Sequence, residues 1–178
     1  MKPMQVGLLG VGTVGCGTHA VLLRNRDEIA RRAGRQIVVR IAAARDLEKA
    51  RRVIGPDVEL TNDPFEVVTH PEIEIVAELI GGTELARELV LAAIANDKHV
   101  VTANKALLAE HGNEIFSVAQ EKGVSVAFEA AVAGGIPIIK ALREGLTANQ
   151  IEWLAGIING TTNYILSEMR ETGAAFHE

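Results

Sequence analysis

The feature that most constrains this chain is a glycine-rich turn close to its N-terminus. A short apolar run at residues 5–9 leads into a G-x-G-x-x-G over residues 10–15, and a helix-compatible stretch follows. Strand, glycine turn and helix in this order are the context in which the motif binds a dinucleotide. The residues that this pattern places against the cofactor are Gly10, Val11, Gly12, Thr13, Val14 and Gly15.

Each glycine of the motif has a separate predicted task. Gly10 permits the tight turn after the strand, Gly12 leaves room for a pyrophosphate beside the backbone, and Gly15 lets the helix pack closely on the sheet. The pyrophosphate would then face free N–H groups and the positive end of the helix dipole. The alternative is a turn that merely contains glycines, and the strand and helix on either side favour the dinucleotide site.

Composition excludes several classes of partner. The 178 residues carry a formal net charge of −5, which argues against nucleic acid as a ligand. The one cysteine, Cys16, excludes an intramolecular disulfide and a cysteine-based zinc site, and a single thiol fits a reducing cytoplasm. No apolar run reaches the roughly 18 residues of a membrane span. Residues 1–9 are too short an apolar run for a signal peptide, so we expect a cytoplasmic protein with no membrane partner.

Apolar runs alternate with helix-compatible stretches over residues 1–130. Strands are predicted at residues 5–9, 36–44, near 60, and at 74–80, 99–102 and 124–128. Helices are predicted at residues 13–32, 47–53, from 64 onward, 84–95 and 106–121, the last with a break near Gly112 as an alternative. This alternation predicts an α/β fold with a doubly wound, mostly parallel, Rossmann-like sheet.

Residues 131–178 follow a different pattern. A helix at 138–146, a strand at 150–158 and a last helix opened by 159–163 and ending near Arg170 are predicted there. Two helices and one strand cannot close a core by themselves, so the expected organisation is a dinucleotide-binding domain at 1–130 and a truncated α+β second domain at 131–178.

The end of the second strand bears on the choice of cofactor. NAD-binding sheets place an acidic residue there for the ribose diol. This strand ends in alanines followed by Arg45, whose guanidinium could bind a 2′-phosphate, and Asp46 comes one residue later. NADP is therefore favoured and NAD stays open. Arg40, a charge in the middle of a strand, is the second candidate, and an ordinary surface arginine is the alternative for Arg45.

Two further turns follow strand ends, where ligands of parallel sheets bind. Gly81, Gly82 and Thr83 could pass beneath the nicotinamide, or they could be a simple turn with Thr83 as the helix cap. Lys105 could donate to the alkoxide that develops during hydride transfer to a carbonyl, or it could be a solvated lysine. A lysine at a helix N-terminus is electrostatically disfavoured, so its position requires a reason.

A compact loop of small residues follows the strand at 124–128. It starts at Glu129, and its backbone carbonyls together with that carboxylate are ligands that suit a hard cation. A glycine hinge between domains is the alternative, and the residues alone favour the hinge.

These motifs, taken in order, resemble the homoserine dehydrogenase family, and the resemblance covers the whole chain. It rests on residues 10–15, 81–82, 101–105, 129–139 and 158–166, of which the last three segments are the specific ones. The resemblance implies NAD(P)-dependent interconversion of L-homoserine and L-aspartate 4-semialdehyde by hydride transfer. This reaction belongs to the route to threonine, methionine and isoleucine.

Residue roles follow from the resemblance position by position. Lys105 would contact cofactor and substrate and take part in catalysis, and Arg40 and Arg45 would lie near the adenosine 2′-position. A sodium site would be formed, largely through backbone carbonyls, by Glu129, Val132, Gly134 and Ile136. The family carries a second lysine, substrate-binding acids and a dimer-forming sheet beyond these segments. We therefore expect the 178 residues alone to bind cofactor without turnover, and the full-length parent to be a homodimer or homotetramer.

Two rival functions remain. Another reductase on the same sheet, such as an aspartate-semialdehyde dehydrogenase, needs a thiol for its acyl intermediate, and Cys16 lies in the glycine turn where cofactor phosphates would cover it. A non-catalytic NAD(P)-binding sensor domain would need the sheet but not Lys105.

Overall fold

The computed structural model describes residues 2–156 and 159–177, which divide into two compact units, Met1–Ile139 and Lys140–Glu178. The strands of the first unit are β1 (Met4–Leu9), β2 (Ile37–Ala43), β3 (Glu59–Thr61), β4 (Ile75–Glu78), β5 (His99–Thr102) and β6 (Val126–Ala127). They form one sheet in the order β3-β2-β1-β4-β5-β6, and every pairing is parallel. The direction of winding reverses between β1 and β4, so a switch point lies at their carboxyl ends.

Helices connect successive strands, as the alternation predicts. They are α1 (Thr13–Arg24), α2 (Arg26–Ala33), α3 (Leu47–Ile54), α4 (Pro64–Thr69), α5 (Glu84–Ala95) and α6 (Lys105–Lys122). The predicted bounds of α5 and β5 are confirmed to the residue. The start of α4 is confirmed as well, because the Asp63 carboxylate accepts a hydrogen bond from the Phe65 N–H at 2.9 Å. The α/β doubly wound class is therefore confirmed.

The central strands β1 and β4 are buried on both faces, which fits their near-continuous apolar runs, whereas exposed and buried residues alternate along β5. Leu8 packs with the cluster under α3, whereas its neighbour Leu9 packs with the larger cluster that includes residues of α4, α5 and α6. Gly7 lets α4 approach closely, because a Cβ there would stand 2.5 Å from Val67 Cγ1. This tight packing fixes β1, the strand that delivers the glycine turn.

Two helix predictions differ in detail from the structure. The helix predicted over residues 13–32 is split at Asn25, whose φ of −106° and ψ of 17° leave helical geometry. Asparagine competes for backbone hydrogen bonds, and Asp27 and Glu28 favour a new helix N-terminus just after it. By contrast, α6 runs unbroken through Gly112, so the alternative of a break is wrong.

The described residues from 138 onward contain two helical segments. A short helix, α7 (Ile138–Lys140), continues as a π-helix over Ala141–Gly145, and α8 (Gly160–Thr172) is capped by Asn159, which accepts from the Thr162 N–H at 2.8 Å. The strand predicted at 150–158 is wrong over residues 150–156, which are exposed, have no regular secondary structure and pair with no described strand. A strand requires a hydrogen-bonded neighbour, whatever its apolar pattern. Residues 157–158 lie outside the described residues.

No helix among the described residues combines the length and the apolar character that crossing a bilayer requires.

Candidate functional site

The turn after β1 has the geometry that its glycines predict. Gly10 has φ of +103°, a conformation open to glycine and strained for other residues. A Cβ on Gly15 would stand 2.1 Å from the Gly10 carbonyl oxygen, so the start of α1 can lie against the end of β1 only without a side chain there. These two glycines are therefore required by the fold itself.

Gly12 differs, because the fold imposes no such requirement there. Its φ is −87°, and a Cβ at this position would meet no described protein atom within 4 Å beyond its chain neighbours. Gly12 is also the N-cap of α1, where it offers no side-chain hydrogen bond, and the first turn of the helix contains no acidic residue. Uncapped N–H groups and the helix dipole at an open, glycine-lined surface fit the diphosphate of a dinucleotide.

The turn after β4 is shaped by a buried carboxylate. Glu78, the last residue of β4, is fully buried, and its Oε1 accepts from the N–H groups of Ile80 at 3.0 Å and Gly81 at 3.3 Å. Gly81 and Gly82 follow with φ of +72° and +75°. Thr83 precedes α5, but its side chain makes no capping hydrogen bond. The turn therefore presents backbone, rather than side chains, at the switch point.

The turn after β5 delivers the candidate catalytic lysine. Asn104 caps α6 by accepting from the Leu107 N–H at 3.1 Å, and its Nδ2 donates to the Gly82 carbonyl at 2.6 Å. Lys105, the first residue of α6, is exposed, and its ammonium has no hydrogen-bond or ion-pair partner among the described residues. The helix dipole disfavours a cation at this position, so α6 does not stabilise the charged ammonium of Lys105.

The three turns meet at one cavity of about 230 Å³. Its lining residues are Val14, Glu78, Leu79, Gly81, Ala103, Asn104 and Lys105. The cavity lies at the carboxyl ends of β1, β4 and β5, beside the switch point where ligands of such sheets bind. The structure thus brings together the first turn of α1, Gly81 and Lys105, which are far apart in the sequence.

The arginines predicted near the adenosine have different surroundings. Arg45 follows β2, is exposed, and pairs with no described residue, whereas the neighbouring Asp46 carboxylate caps α3 by accepting from the Lys49 N–H at 2.9 Å. Arg40 lies within β2 rather than at its end. Its guanidinium donates to Glu72 at 3.3 Å and lies 3.7 Å from a Glu59 oxygen. A mid-strand charge is thus satisfied by carboxylates from neighbouring segments.

The loop predicted to bind a cation starts in a turn of 3-10 helix, Glu129–Ala131. A Glu129 carboxylate oxygen accepts from the Ile139 N–H at 2.9 Å, which closes the loop on itself. Ala133 and Gly134 have φ of +55° and +59°. No cluster of three or more His, Cys, Asp or Glu side chains that could hold a metal ion occurs among the described residues, so a cation here would depend on carbonyl oxygens.

Sequence reasoning missed the polar residues that shape the cavity. Glu78 reads as part of an apolar strand, and Thr102 and Asn104 read as the end of a strand and a loop. The Thr102 hydroxyl lies 2.6 Å from Glu78 Oε2, a contact between residues 24 positions apart. A carboxylate inside an otherwise apolar strand was the one available signal, since such a group must find partners when it is buried.

The parallel sheet, its switch point and the open glycine turn define a Rossmann-type dinucleotide-binding protein. Two family models match the chain: "Homoserine dehydrogenase, NAD binding domain" over residues 10–129 and "Homoserine dehydrogenase" over residues 137–178. The chain therefore belongs to the homoserine dehydrogenase family.

Individual relatives agree with the family assignment. The chain is 66% identical over 177 residues to homoserine dehydrogenase of Pseudomonas aeruginosa, covering 99% of this chain and 40% of the relative. It superposes on the crystal structure of a homoserine dehydrogenase from Thiobacillus denitrificans with a TM-score of 0.94 and 71% identity, covering 99% of this chain and 41% of that one. A hyperthermophilic archaeal homoserine dehydrogenase in complex with NADPH matches with a TM-score of 0.81 and 25% identity, with coverage of 99% and 59%. The chain spans about 40% of the length of two curated relatives that it matches at more than 60% identity, those of Pseudomonas aeruginosa and Neisseria gonorrhoeae.

Proposed function

We propose that this chain is the cofactor-binding part of an NAD(P)-dependent homoserine dehydrogenase, which interconverts L-homoserine and L-aspartate 4-semialdehyde. The observation that carries the proposal is the cavity at the switch point, where Val14, Gly81 and Lys105 meet. Family membership and the relatives' names support the reaction. The NADPH complex of the archaeal relative supports a nicotinamide cofactor.

The cofactor-binding roles follow from the geometry of the turns. Residues 10–15 would hold the diphosphate against the N–H groups of α1. The backbone of residues 81–83 would lie beside the nicotinamide riboside. Because the adenosine half of a dinucleotide extends toward the end of β2 in this sheet order, the nicotinamide half would extend toward β4 and β5.

Lys105 would act on the substrate carbonyl. When bound, the reduced nicotinamide supplies the hydride. The Lys105 ammonium would donate a hydrogen bond to the aldehyde oxygen and stabilise the negative charge that develops there. Lys105 has no competing partner among the described residues and is held at the first turn of α6 by the Asn104 cap, so its donors remain available for substrate.

NADP is the cofactor that the end of β2 favours. Arg45 is exposed and suited to a 2′-phosphate, whereas the Asp46 carboxylate already accepts the α3 capping bond. Arg40 remains the second candidate, although its ion pairs with Glu72 and Glu59 would have to break before it could bind a phosphate.

A sodium ion is proposed at the loop after β6, on the resemblance to the family. The donor set would be Glu129, Val132, Gly134 and Ile136. No backbone N–H of the described residues donates to the carbonyls of Val132 or Gly134, whereas the Ile136 carbonyl accepts from the Ile138 N–H at 2.8 Å. Carbonyl oxygens beside a carboxylate suit a hard cation. Thermal unfolding in NaCl and in choline chloride at equal ionic strength tests the site. A Tm that is the same in both salts would contradict it.

The organisation of the whole protein belongs to the same proposal. The boundary between a domain at 1–130 and a second domain at 131–178 is supported by family matches that end at residue 129 and resume at 137. Limited proteolysis that cleaves first outside residues 125–140 would contradict it. A cytoplasmic homodimer or homotetramer in threonine, methionine and isoleucine biosynthesis is proposed from family membership.

The activity is tested by following NADPH oxidation with L-aspartate 4-semialdehyde in a protein of full family length that carries this sequence. We expect Lys105→Ala to lower kcat by about 100-fold or more while the Kd for NADPH stays nearly constant. Lys122→Ala, at the other end of α6, is the matched control and should leave turnover unchanged. The 178 residues alone should bind NADPH without family-level turnover.

The alternative functions give different results in this assay. Unchanged turnover in Lys105→Ala, or a whole protein that binds NADPH without oxidising it, would favour a non-catalytic sensor domain. Loss of turnover after alkylation of Cys16, with cofactor affinity retained, would favour a thiol-dependent semialdehyde reductase.

A further inference from the structure

Glu78 is a buried carboxylate with no cation among its hydrogen-bond partners. It ends β4 with no exposed surface, and its two oxygens are bound by three donors: the N–H groups of Ile80 and Gly81 and the hydroxyl of Thr102. Burying an ionised carboxylate is costly unless its oxygens are fully hydrogen-bonded. A group this costly requires a function that an apolar residue could not supply.

The direction of each hydrogen bond is set by its neighbours. Thr102 Oγ1 accepts from the Asn104 N–H at 3.0 Å, so its own hydrogen is free to donate to Glu78 Oε2 at 2.6 Å. Asn104 Nδ2 in turn donates to the Gly82 carbonyl. Hydrogen bonds therefore link Glu78 to Thr102, Thr102 to Asn104 and Asn104 to the Gly82 carbonyl, and the Gly81–Gly82 backbone leads back to Glu78. This set of contacts, called here the Glu78 network, joins the turn after β4 to the turn after β5.

The sheet itself does not need this network. Glu78 and Thr102 are paired in register, and the two preceding pairs along the same strands are Ala77 with Val101 and Val76 with Val100, all apolar. A further apolar pair would hold β4 and β5 together equally well, since buried polar pairs are often no more stable than apolar ones. What an apolar pair could not do is accept from the N–H groups of Ile80 and Gly81 and from the N–H of Asn104, the residue whose side chain donates to the Gly82 carbonyl.

We infer that Glu78 is a positioning residue for the nicotinamide half of the cofactor, acting through Thr102 and Asn104. The network holds the glycine backbone on one side of the cavity and the first turn of α6, with Lys105, on the other. This inference rests on the proposed function. It goes beyond that function because it names the residue that orients the backbone at the nicotinamide end of the cavity in the unliganded protein.

Comparing two ligands tests this inference in the 178-residue chain. NADP⁺ carries the nicotinamide, and 2′-phospho-ADP-ribose is the same molecule without it. In Glu78→Gln the amide oxygen can still accept from the backbone, but its NH₂ then faces Thr102, whose hydroxyl loses its acceptor. Thr102→Val removes the hydroxyl at nearly constant volume. For both variants we expect the Kd for NADP⁺ to rise by about three- to tenfold and the Kd for 2′-phospho-ADP-ribose to stay unchanged.

Two further variants separate positioning from general stability. Thr102→Ser keeps the hydroxyl and should restore the NADP⁺ affinity. Thr61→Val removes an equivalent hydroxyl at the end of β3, where Thr61 Oγ1 accepts from the Asp63 N–H at 3.0 Å. It should lower Tm without changing the ratio of the two dissociation constants.

The possible outcomes distinguish a failure of this inference from a failure of the proposed function. A wild-type chain that binds neither ligand would refute the proposed function and the inference with it. A wild-type chain that binds both, with variants that lose both ligands equally or lose neither, would refute the role of Glu78 alone. If Glu78→Gln does not fold by circular dichroism, Thr102→Val against Thr102→Ser gives the decisive comparison.

Discussion

Adding one methyl group at each of three glycines in the same turn should give three different results. Gly15→Ala should damage the fold, Gly12→Ala should damage only dinucleotide binding, and Gly17→Ala should damage neither. The structure provides the reason. A Cβ on Gly15 would lie 2.1 Å from the Gly10 carbonyl oxygen, whereas a Cβ on Gly12 or Gly17 would meet no described atom within 4 Å beyond the chain neighbours and, for Gly17, the backbone of its own helix.

The magnitudes follow from these distances. To bring the Gly15→Ala contact to an ordinary separation, the start of α1 must move by roughly an ångström from β1, at a cost of about 1–3 kcal/mol. For a chain of this length, that is a fall in Tm of about 3–10 °C. Gly17→Ala lies inside α1 and should gain about 0.5–1 kcal/mol. Gly12→Ala should change stability by less than about 1 kcal/mol, because Gly12 is only an N-cap.

The assay measures Tm and the Kd for NADPH on the same three samples. Because the methyl of Gly12→Ala would occupy the volume next to the backbone that the diphosphate needs, we expect its Kd to rise at least about tenfold. The Kd of Gly17→Ala should equal that of wild type. If Gly12→Ala binds NADPH normally, the diphosphate does not lie on this turn, and the reasoning from the open surface at Gly12 is wrong.

Three other substitutions probe separate parts of the first unit. Arg45→Ala should raise the Kd for NADP⁺ about tenfold and leave that for NAD⁺ unchanged in a fluorescence titration; equal losses would argue against a 2′-phosphate contact. Lys98→Met should cost about 1–3 kcal/mol in urea unfolding, because the buried ammonium donates to two backbone carbonyls at 2.7 and 2.9 Å; a smaller loss would mean that water replaces it. The Arg35 guanidinium lowers the pKa of the Glu74 carboxyl from its ordinary value of 4.5. The unfolded chain therefore binds this proton more readily, and the pair's stabilisation is complete above pH 4.5 and is lost as the pH falls through the lowered pKa. When the free energy of unfolding is measured as a function of pH, Glu74→Gln should reduce the loss of stability at acidic pH. An unchanged loss would contradict the assignment to this pair.

The parts of the fold that the sequence predicts well are those set by local chemistry. The glycine turn, the Asp63 cap before Pro64, and the bounds of α5 all depend on residues within a few positions of one another. Local signals fail where the secondary structure depends on pairing with a strand that is distant in the sequence. Residues 150–156 have the apolar pattern of a strand, but no described strand pairs with them.

The candidate site shows the same division. The carboxyl ends of parallel strands lie at one edge of a sheet, which predicts that the glycine turn, Gly81 and Lys105 converge. The cavity is lined by Val14, from the end of the glycine motif, together with Gly81 and Lys105. The sequence does not predict that Arg40 pairs with Glu59 and Glu72, since that requires knowledge of which segments flank β2. The contact between Glu78 and Thr102 was missed for the same reason.

The two ends of the crevice are built on different physical principles. At the proposed diphosphate end the fold removes side chains, so that Gly12 leaves the helix N-terminus open, and a bound diphosphate would satisfy the N–H groups. At the proposed nicotinamide end the Glu78 network satisfies the backbone internally. An oriented, already satisfied backbone loses little freedom on binding, whereas an open one gains new hydrogen bonds. The diphosphate end should therefore supply most of the affinity, and the nicotinamide end should supply the orientation on which hydride transfer depends.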